Sequence, residues 1–254
     1  MRGNNPINKL KYAVCIGVLC LVTAAVPMYH EVLRSVEQLT SADVLLIDPG
    51  HGGMDGGAES AKGICEKNIN LAISKEIQQL AQADGWTVVL TREEDISLGE
   101  EAKGSIRSKK TKDLLERKRI LAEVKPTAAI SIHLNSFRED RRVHGAQAFY
   151  PAGSETEAVI AESKRLAEAI QEQLNQQLQP EEERTALSKS GVLILKNPVS
   201  PITIIECGFL SNSQEAEKLE DVQYQKDIAA SIYQGVMDFS HKEAKKKVKV
   251  LDSL

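Results

Sequence analysis

Short, wholly apolar runs alternate along this chain with stretches of helical period, and that alternation restricts the possible folds more than any other feature. Val44-Leu45-Leu46-Ile47 runs into the turn signal Asp48-Pro49-Gly50. From Glu66 to Ala83, Ile69, Ile73, Ile77 and Leu80 fall on one helical face, and Gly85 stops that helix before the strand Trp86 to Leu90. Asp113 to Val124 reads as a helix ended by Pro126, followed by the strand Ala128 to Ile132. Further strands are expected over Ala146 to Tyr150, Gly191 to Leu195 and Ile202 to Ile205, with helices over Ser154 to Leu178 and Asp221 to Phe239. Strands that are apolar throughout must be covered on both faces, which favours parallel pairing with helical crossovers. The expectation is therefore a single α/β domain over residues 43–241. Its sheet should be mostly parallel and roughly six-stranded, with helices on both faces. Residues 92–111 are charged and aperiodic and read as a long loop of the kind that usually carries function.

Composition supplies the boundary conditions. A hydrophobic content of 42% allows a full core, while 4% aromatics means that Ile, Leu, Val and Ala must build it. A net charge of −4 gives no reason to expect nucleic acid as a partner. At the start of the chain, Arg2, Lys9 and Lys11 precede an uncharged, mainly apolar stretch from Tyr12 to Tyr29. That order reads as a secretory signal or membrane anchor over residues 1–29, with anchoring favoured over cleavage, followed by a spacer at 30–42. The protein is thus expected outside the cytoplasm and tied to the membrane through this segment. Neither Cys15 nor Cys20 follows a small residue, as a lipid-accepting cysteine usually does. Cys65 and Cys207 are read as two buried free thiols rather than a bridge. Residues 242–254, with Lys245-Lys246-Lys247, read as a basic tail.

In open α/β sheets, sites form beyond the carboxyl ends of the strands. His51 follows the first strand, His133 ends the third and Glu206 ends the last, while Glu66 opens the helix after a loop holding five of the sixteen glycines. Two histidines and a carboxylate are a common catalytic zinc set with one position left for water, and a further carboxylate can serve as general base. Taken singly, each residue has a plainer role: His51 as a turn residue, His133 as a hydrogen-bonded strand end, Glu66 as a helix-dipole partner. Glu206 follows four apolar residues, and a carboxylate there needs a partner. The glycine loop is not a phosphate cradle, because no Lys-Ser or Lys-Thr follows and Asp55 stands where a third glycine would be required. No Gly-x-Ser-x-Gly elbow is present, and Cys207, next to Glu206 on a strand, should face the opposite side.

The residues Leu46-Ile47-Asp48-Pro49-Gly50-His51-Gly52-Gly53, Asp55-Gly56-Gly57-Ala58, Glu66-Lys67, Thr91-Arg92, Ser131-Ile132-His133-Leu134-Asn135 and Glu206-Cys207-Gly208-Phe209-Leu210-Ser211-Asn212 resemble the type 3 N-acetylmuramoyl-L-alanine amidases. The resemblance covers roughly residues 43–240 in order. Lys103-Gly104, Asp113-Leu114 with Arg117, and Gly145-Ala146-Gln147 with Phe149-Tyr150 further resemble the germination-specific cortex amidases of endospore formers. The family resemblance implies zinc on His51, Glu66 and His133, with Glu206 as catalytic carboxylate. It also implies hydrolysis of the amide between the muramoyl lactyl group and L-alanine. The implied partners are peptidoglycan glycan strands with stem peptides, together with an activating protein or a downstream deacetylase. The narrower resemblance implies muramic-lactam formation in the spore cortex and a place at the outer face of the cytoplasmic membrane or in the spore intermembrane space. Two other functions compete. An inactive wall-binding scaffold would lack one of the four residues. A zinc carboxypeptidase would need an arginine for a terminal carboxylate, for which Arg92 or Arg117 could be nominated.

Overall fold

The computed structural model describes residues 43–99, 105–153 and 156–251. The export segment, the spacer and Lys103-Gly104 lie outside the described residues. Six strands form one sheet: β1 (Val44–Pro49), β2 (Thr87–Leu90), β3 (Ala128–Asn135), β4 (Gln147–Pro151), β5 (Leu187–Lys189) and β6 (Ile202–Phe209). Their order is β2-β1-β3-β6-β4-β5. All neighbours pair in parallel except β4 and β6, which are antiparallel.

Among the described residues, five helices accompany them: α1 (Glu66–Ala83), α2 (Ile106–Val124), α3 (Glu157–Leu178), α4 (Ser213–Glu220) and α5 (Val222–Leu251). On one face, α1, α3 and α5 close over Leu45, Ile47, Ile130, Ile132 and Ile205 to make the larger core. On the other face, α2 and a single 3₁₀ turn, Leu193–Leu195, cover the smaller cluster of Leu46, Ala129, Ile202 and Ile204. The expected α/β layering with helices on both faces is present. Cys207 is buried on the larger core's side, opposite Glu206, and both Cys207 and the half-buried Cys65 are free thiols.

Several expected boundaries need correction. Helix α2 begins at Ile106, not Asp113, so the last six residues of the expected 92–111 loop are helical; the Ser105 hydroxyl caps it by accepting from the Ser108 amide. Its buried residues are Asp113, Arg117 and Leu121. Two of these three are charged, and hydropathy therefore misses the buried stripe. Gly191 to Leu195 is not a strand but the loop and 3₁₀ turn against α2; the strand in that region is β5, on Leu187-Ser188-Lys189 just before it. A five-residue apolar run is equally suited to either conformation. Helix α4 was not foreseen and is capped by Asn212, whose side chain accepts from the Gln214 and Glu215 amides. The basic run placed in a tail lies within α5, whose backbone continues to Leu251. In α1, Ala81 rather than Leu80 faces the core; Leu80 is exposed.

Candidate active site

The smaller core leads directly into the site. Leu46, Ala129 and Ile202 are register partners, and one step along the parallel strands the partners are Asp48, Ser131 and Ile204. One step further, His133 of β3 stands beside Glu206 of β6. The same sheet face therefore changes from apolar to polar to chemically active towards the strands' carboxyl ends. On the opposite face, Ile132, Leu134, Ile205 and Cys207 remain in the core.

The polar row is a buried network. Asp48 accepts from Thr91 Oγ1 at 2.6 Å, Ser131 Oγ at 2.7 Å and Arg117 at 2.7 Å. Burial alone would raise the Asp48 carboxyl; the Arg117 charge and these three hydrogen bonds outweigh it and bring it down to about 2. Arg117, only 2% exposed, also donates to Asp113, to the Pro49 carbonyl at 2.8 Å and to the His51 carbonyl at 2.6 Å. Arg92, equally buried, donates to the carbonyls of Pro49 at 2.9 Å and Gly50 at 3.0 Å, and to those of Glu94 and Lys67. Two guanidiniums thus hold three successive carbonyls of the loop that carries His51. That loop needs holding, because His51 sits at φ 62°, in the left-handed region that non-glycine residues seldom occupy. Neither arginine is free to grip a substrate carboxylate, which removes the feature the carboxypeptidase reading required.

Above the network, His51, Glu66 and His133 converge, with one potential ligand atom from each within 4.8 Å of the others. His51 Nε2 lies 3.2 Å and His133 Nδ1 lies 3.0 Å from Glu66 Oε1, and the imidazoles meet edge to face at 5.0 Å between centroids. Glu66 is oriented by the Ala58 amide on Oε2 at 2.7 Å and by the Leu134 amide and Asn70 Nδ2 on Oε1. The carboxyl is buried, which raises it, but both histidines lower it further, and it is held well below the usual carboxylate range. His51 Nδ1 faces Asp55 Oδ2 at 3.0 Å. Burial works against the His51 charge, yet Asp55 and Glu66 prevail and raise the imidazole to about 9.

Two motif glycines make this packing possible. A Cβ at Gly50 would lie 2.3 Å from His133 Cε1, and one at Gly57 would lie 2.5 Å from Glu66 Oε2. Lys67 pins the same loop by donating to the Gly53 carbonyl at 2.7 Å and to Asp95 at 2.6 Å.

Glu206 stands next to this group. Its Oε1 accepts from Lys189 Nζ of β5 at 2.9 Å, with the ammonium also 4.4 Å from the centroid of the Phe149 ring. Lys189 is the partner that a carboxylate among apolar residues demands, but nothing in the polar segment around it marked it in advance. Asp55 and Asn70 were also not assigned roles by sequence reasoning. Asn70 has a usable signal, since it lies four residues from Glu66 on the same helix face.

The donor set suits a metal ion. Two imidazoles and one carboxylate match a three-ligand catalytic centre, and the carboxylate behind the second nitrogen of His51 is the usual support for a metal-bound histidine. Fold and site together define an α/β enzyme with a His-Glu-His group suited to a metal and a second carboxylate beside it. A family model described as N-acetylmuramoyl-L-alanine amidase matches residues 45–238. The germination-specific N-acetylmuramoyl-L-alanine amidase of Bacillus subtilis is 34% identical over 199 residues, covering 78% of this chain and 80% of that protein. Among solved structures, the CwlD amidase of Clostridioides difficile, determined in complex with the GerS lipoprotein, is 37% identical with a TM-score of 0.73, covering 78% of this chain and 98% of that one. An N-acetylmuramoyl-L-alanine amidase of Clostridium difficile 630 is 27% identical with a TM-score of 0.67, covering 80% of this chain and 98% of that one. The chain belongs to the N-acetylmuramoyl-L-alanine amidase family, enzymes of peptidoglycan hydrolysis.

Proposed function

We propose that this protein is a zinc-dependent amidase that cleaves the bond between the muramoyl lactyl carbonyl and L-alanine, with His51, Glu66 and His133 holding the metal and Glu206 as the catalytic carboxylate. The observation that carries the proposal is the convergence of those three side chains with Glu206 beside His133 in register. Zinc in that group would polarise the amide carbonyl and acidify a water molecule. The rest of the work falls to the protein. Glu66, fixed by the Ala58 and Leu134 amides, stays ionised, and Asp55 orients His51. Lys189 occupies Glu206 Oε1, so Oε2 is the oxygen that takes the proton from the attacking water. As the carbon–nitrogen bond breaks, Oε2 returns that proton to the alanine nitrogen. The products are a lactyl carboxylate and a stem peptide with a free amino terminus.

The setting belongs to the same proposal. The B. subtilis relative is named as germination-specific, which supports a role in spore cortex maturation, with muramic-lactam formation as the downstream outcome. The charged and apolar order of residues 1–29 supports export and membrane attachment. The lipoprotein bound to the C. difficile amidase supports an activating partner for this chain as well; a deacetylase acting on its product is the second proposed partner. Mass spectrometry of purified peptidoglycan treated with zinc-loaded protein tests the activity. Release of stem peptides beginning at L-alanine is expected, and cleavage at any other bond would overturn the assignment.

A further inference from the structure

We infer that Arg184 anchors the stem-peptide side of the substrate by binding a carboxylate on the residue that follows L-alanine, with the peptide leaving the site across β4. The inference rests on the proposed role of Glu206. If Oε2 hands a proton to the leaving nitrogen, that nitrogen lies on the Glu206 side of the scissile carbon. The next strand on that side is β4, where Gln147 is the antiparallel register partner of Glu206. Directly opposed residues present their side chains on one face of a sheet. Gln147 therefore shares both the face and the sheet edge of Glu206.

A cleft of about 580 Å³ is lined by Gln147 together with His144, Arg184 and Thr185. Arg184 Nη1 donates to Gln147 Oε1 at 3.1 Å, while Nε, at 3.0 Å, and Nη2 both donate to the His144 carbonyl. The guanidinium carbon lies 5.4 Å from the centroid of the Phe209 ring, at the end of β6 and three residues beyond Glu206. Gly145 leaves room for this arrangement, since a Cβ there would lie 3.1 Å from Arg184 Nε. These contacts fix the guanidinium without neutralising it. Among the described residues it forms no ion pair, and its partners are two neutral oxygens and a ring. The buried Glu215 carboxylate, whose charge it feels, is already taken by the Gly145 and Phe209 amides at 2.8 and 2.7 Å. Of the acids that line the cleft, Asp140 is paired with Arg142, and Glu181, Glu182 and Glu183 are exposed to solvent.

A guanidinium has five N–H groups, and the three bonds of Arg184 leave one free on each terminal nitrogen, a fork that fits the two oxygens of a carboxylate. The fork lies one interstrand step and one hydrogen bond beyond Glu206, about 8 Å. In an extended peptide a carboxylate on the residue after L-alanine lies about 7 Å from the scissile nitrogen. A terminal amino acid released alone would carry its carboxylate about 3 Å from that nitrogen, too near for Arg184 to hold it. The spacing thus suits an amidase that releases a peptide, and a neutral glycan strand offers the fork no matching group.

The test uses solubilised glycan strands whose stems are trimmed to two residues, the second with its carboxylates free or converted to carboxamides, given to the full zinc-loaded chain. The wild type should prefer the free form by about tenfold in kcat/KM, mostly through KM. Arg184→Gln should bring the ratio of the two forms close to one. Arg184→Lys, which keeps the charge but not the fork, should leave an intermediate ratio. Equilibrium binding of the two forms to the Glu206→Gln chain should show the same preference without turnover, and equal binding overturns the inference. A wild-type kcat/KM ratio near one overturns it as well, whether or not the variants fold. So does a parallel loss on both forms in Arg184→Gln, which would mean that Arg184 only braces His144 and Gln147. Each of these results leaves the amidase assignment intact. If the wild type cleaves neither form at the L-alanine bond, the assignment itself falls and takes this inference with it.

Discussion

The two sides of the active site are built on opposite principles. The His51 side is locked from beneath. Arg92 and Arg117 are almost fully buried and hold the carbonyls of Pro49, Gly50 and His51, with Asp48 and Asp113 balancing the Arg117 charge. On the Glu206 side, the partner found among the described residues is a lysine at the sheet edge whose side chain is one-third exposed. A metal group gains from being fixed before the metal arrives, because each ligand must be ordered for binding to be tight. A proton carrier must instead remain accessible to substrate. Stability should therefore depend heavily on the first side and little on the second, while turnover depends on both.

The largest effect is expected at the metal group itself. His133→Ala leaves two of the three proposed ligands and should abolish stoichiometric zinc binding; metal analysis that still finds one tightly bound zinc per chain would remove His133 from the set. Next is Arg117→Ala. It strands the buried Asp48 carboxylate and frees the His51 carbonyl, so unfolding free energy should fall by about 3–5 kcal/mol. Chemical denaturation measures this, and a loss below 1 kcal/mol, the range of a surface ion pair, would mean that the network is not what holds this side.

Acid should expose the same network. The Asp48 carboxyl lies at about 2 in the folded protein against an ordinary 3.8. A depressed carboxylate contributes its stability in full above the unfolded value and loses it as pH falls towards the folded one. The protein should therefore lose stability between about pH 4 and pH 2. Asp48→Asn should be less stable at neutral pH and show a shallower loss across that window. An unchanged slope would place the acid-sensitive group elsewhere. The smallest effect is expected from Lys189→Met, which leaves the buried Glu206 carboxylate without its ion-pair partner but opens it to solvent on the side where Lys189 is one-third exposed, at a cost of about 1–2 kcal/mol. A modest fall in melting temperature is predicted, and a loss as large as that of Arg117→Ala would erase the contrast between the two sides.

The same contrast explains what was legible in the sequence. Apolar runs announced β1, β3 and β6, and the 3.6-residue period marked α1 from Glu66 to Ala83. The rule that α/β sites gather at strand ends then brought His51, Glu66, His133 and Glu206 to one edge. The clamp was harder to read, since Asp113 and Arg117 are charged residues in a buried stripe and a charged residue ordinarily signals solvent. Arg92 and Arg117 were noticed, but as groups that could face a substrate rather than carbonyls beneath the loop. Lys189 was illegible because its role depends on β5 pairing with β4, and the apolar run at Gly191 to Leu195 drew the strand to the wrong segment. What the sequence hid, in each case, was a polar side chain whose partner is distant along the chain.

The measurement that most directly tests the division of labour is Glu206→Gln, with zinc content, melting temperature and amide cleavage determined on one preparation. The substitution keeps the side chain's shape and removes its proton-accepting charge. Zinc content should stay at one per chain, since the proposed ligands and their supports are untouched. The melting temperature should remain close to wild type, and release of L-alanine-terminated peptides should fall by about 10²–10⁴-fold. A folded, zinc-loaded variant that still cleaves at near wild-type rate, or one that loses its zinc, would contradict the separation of a fixed metal side from a proton-transfer side.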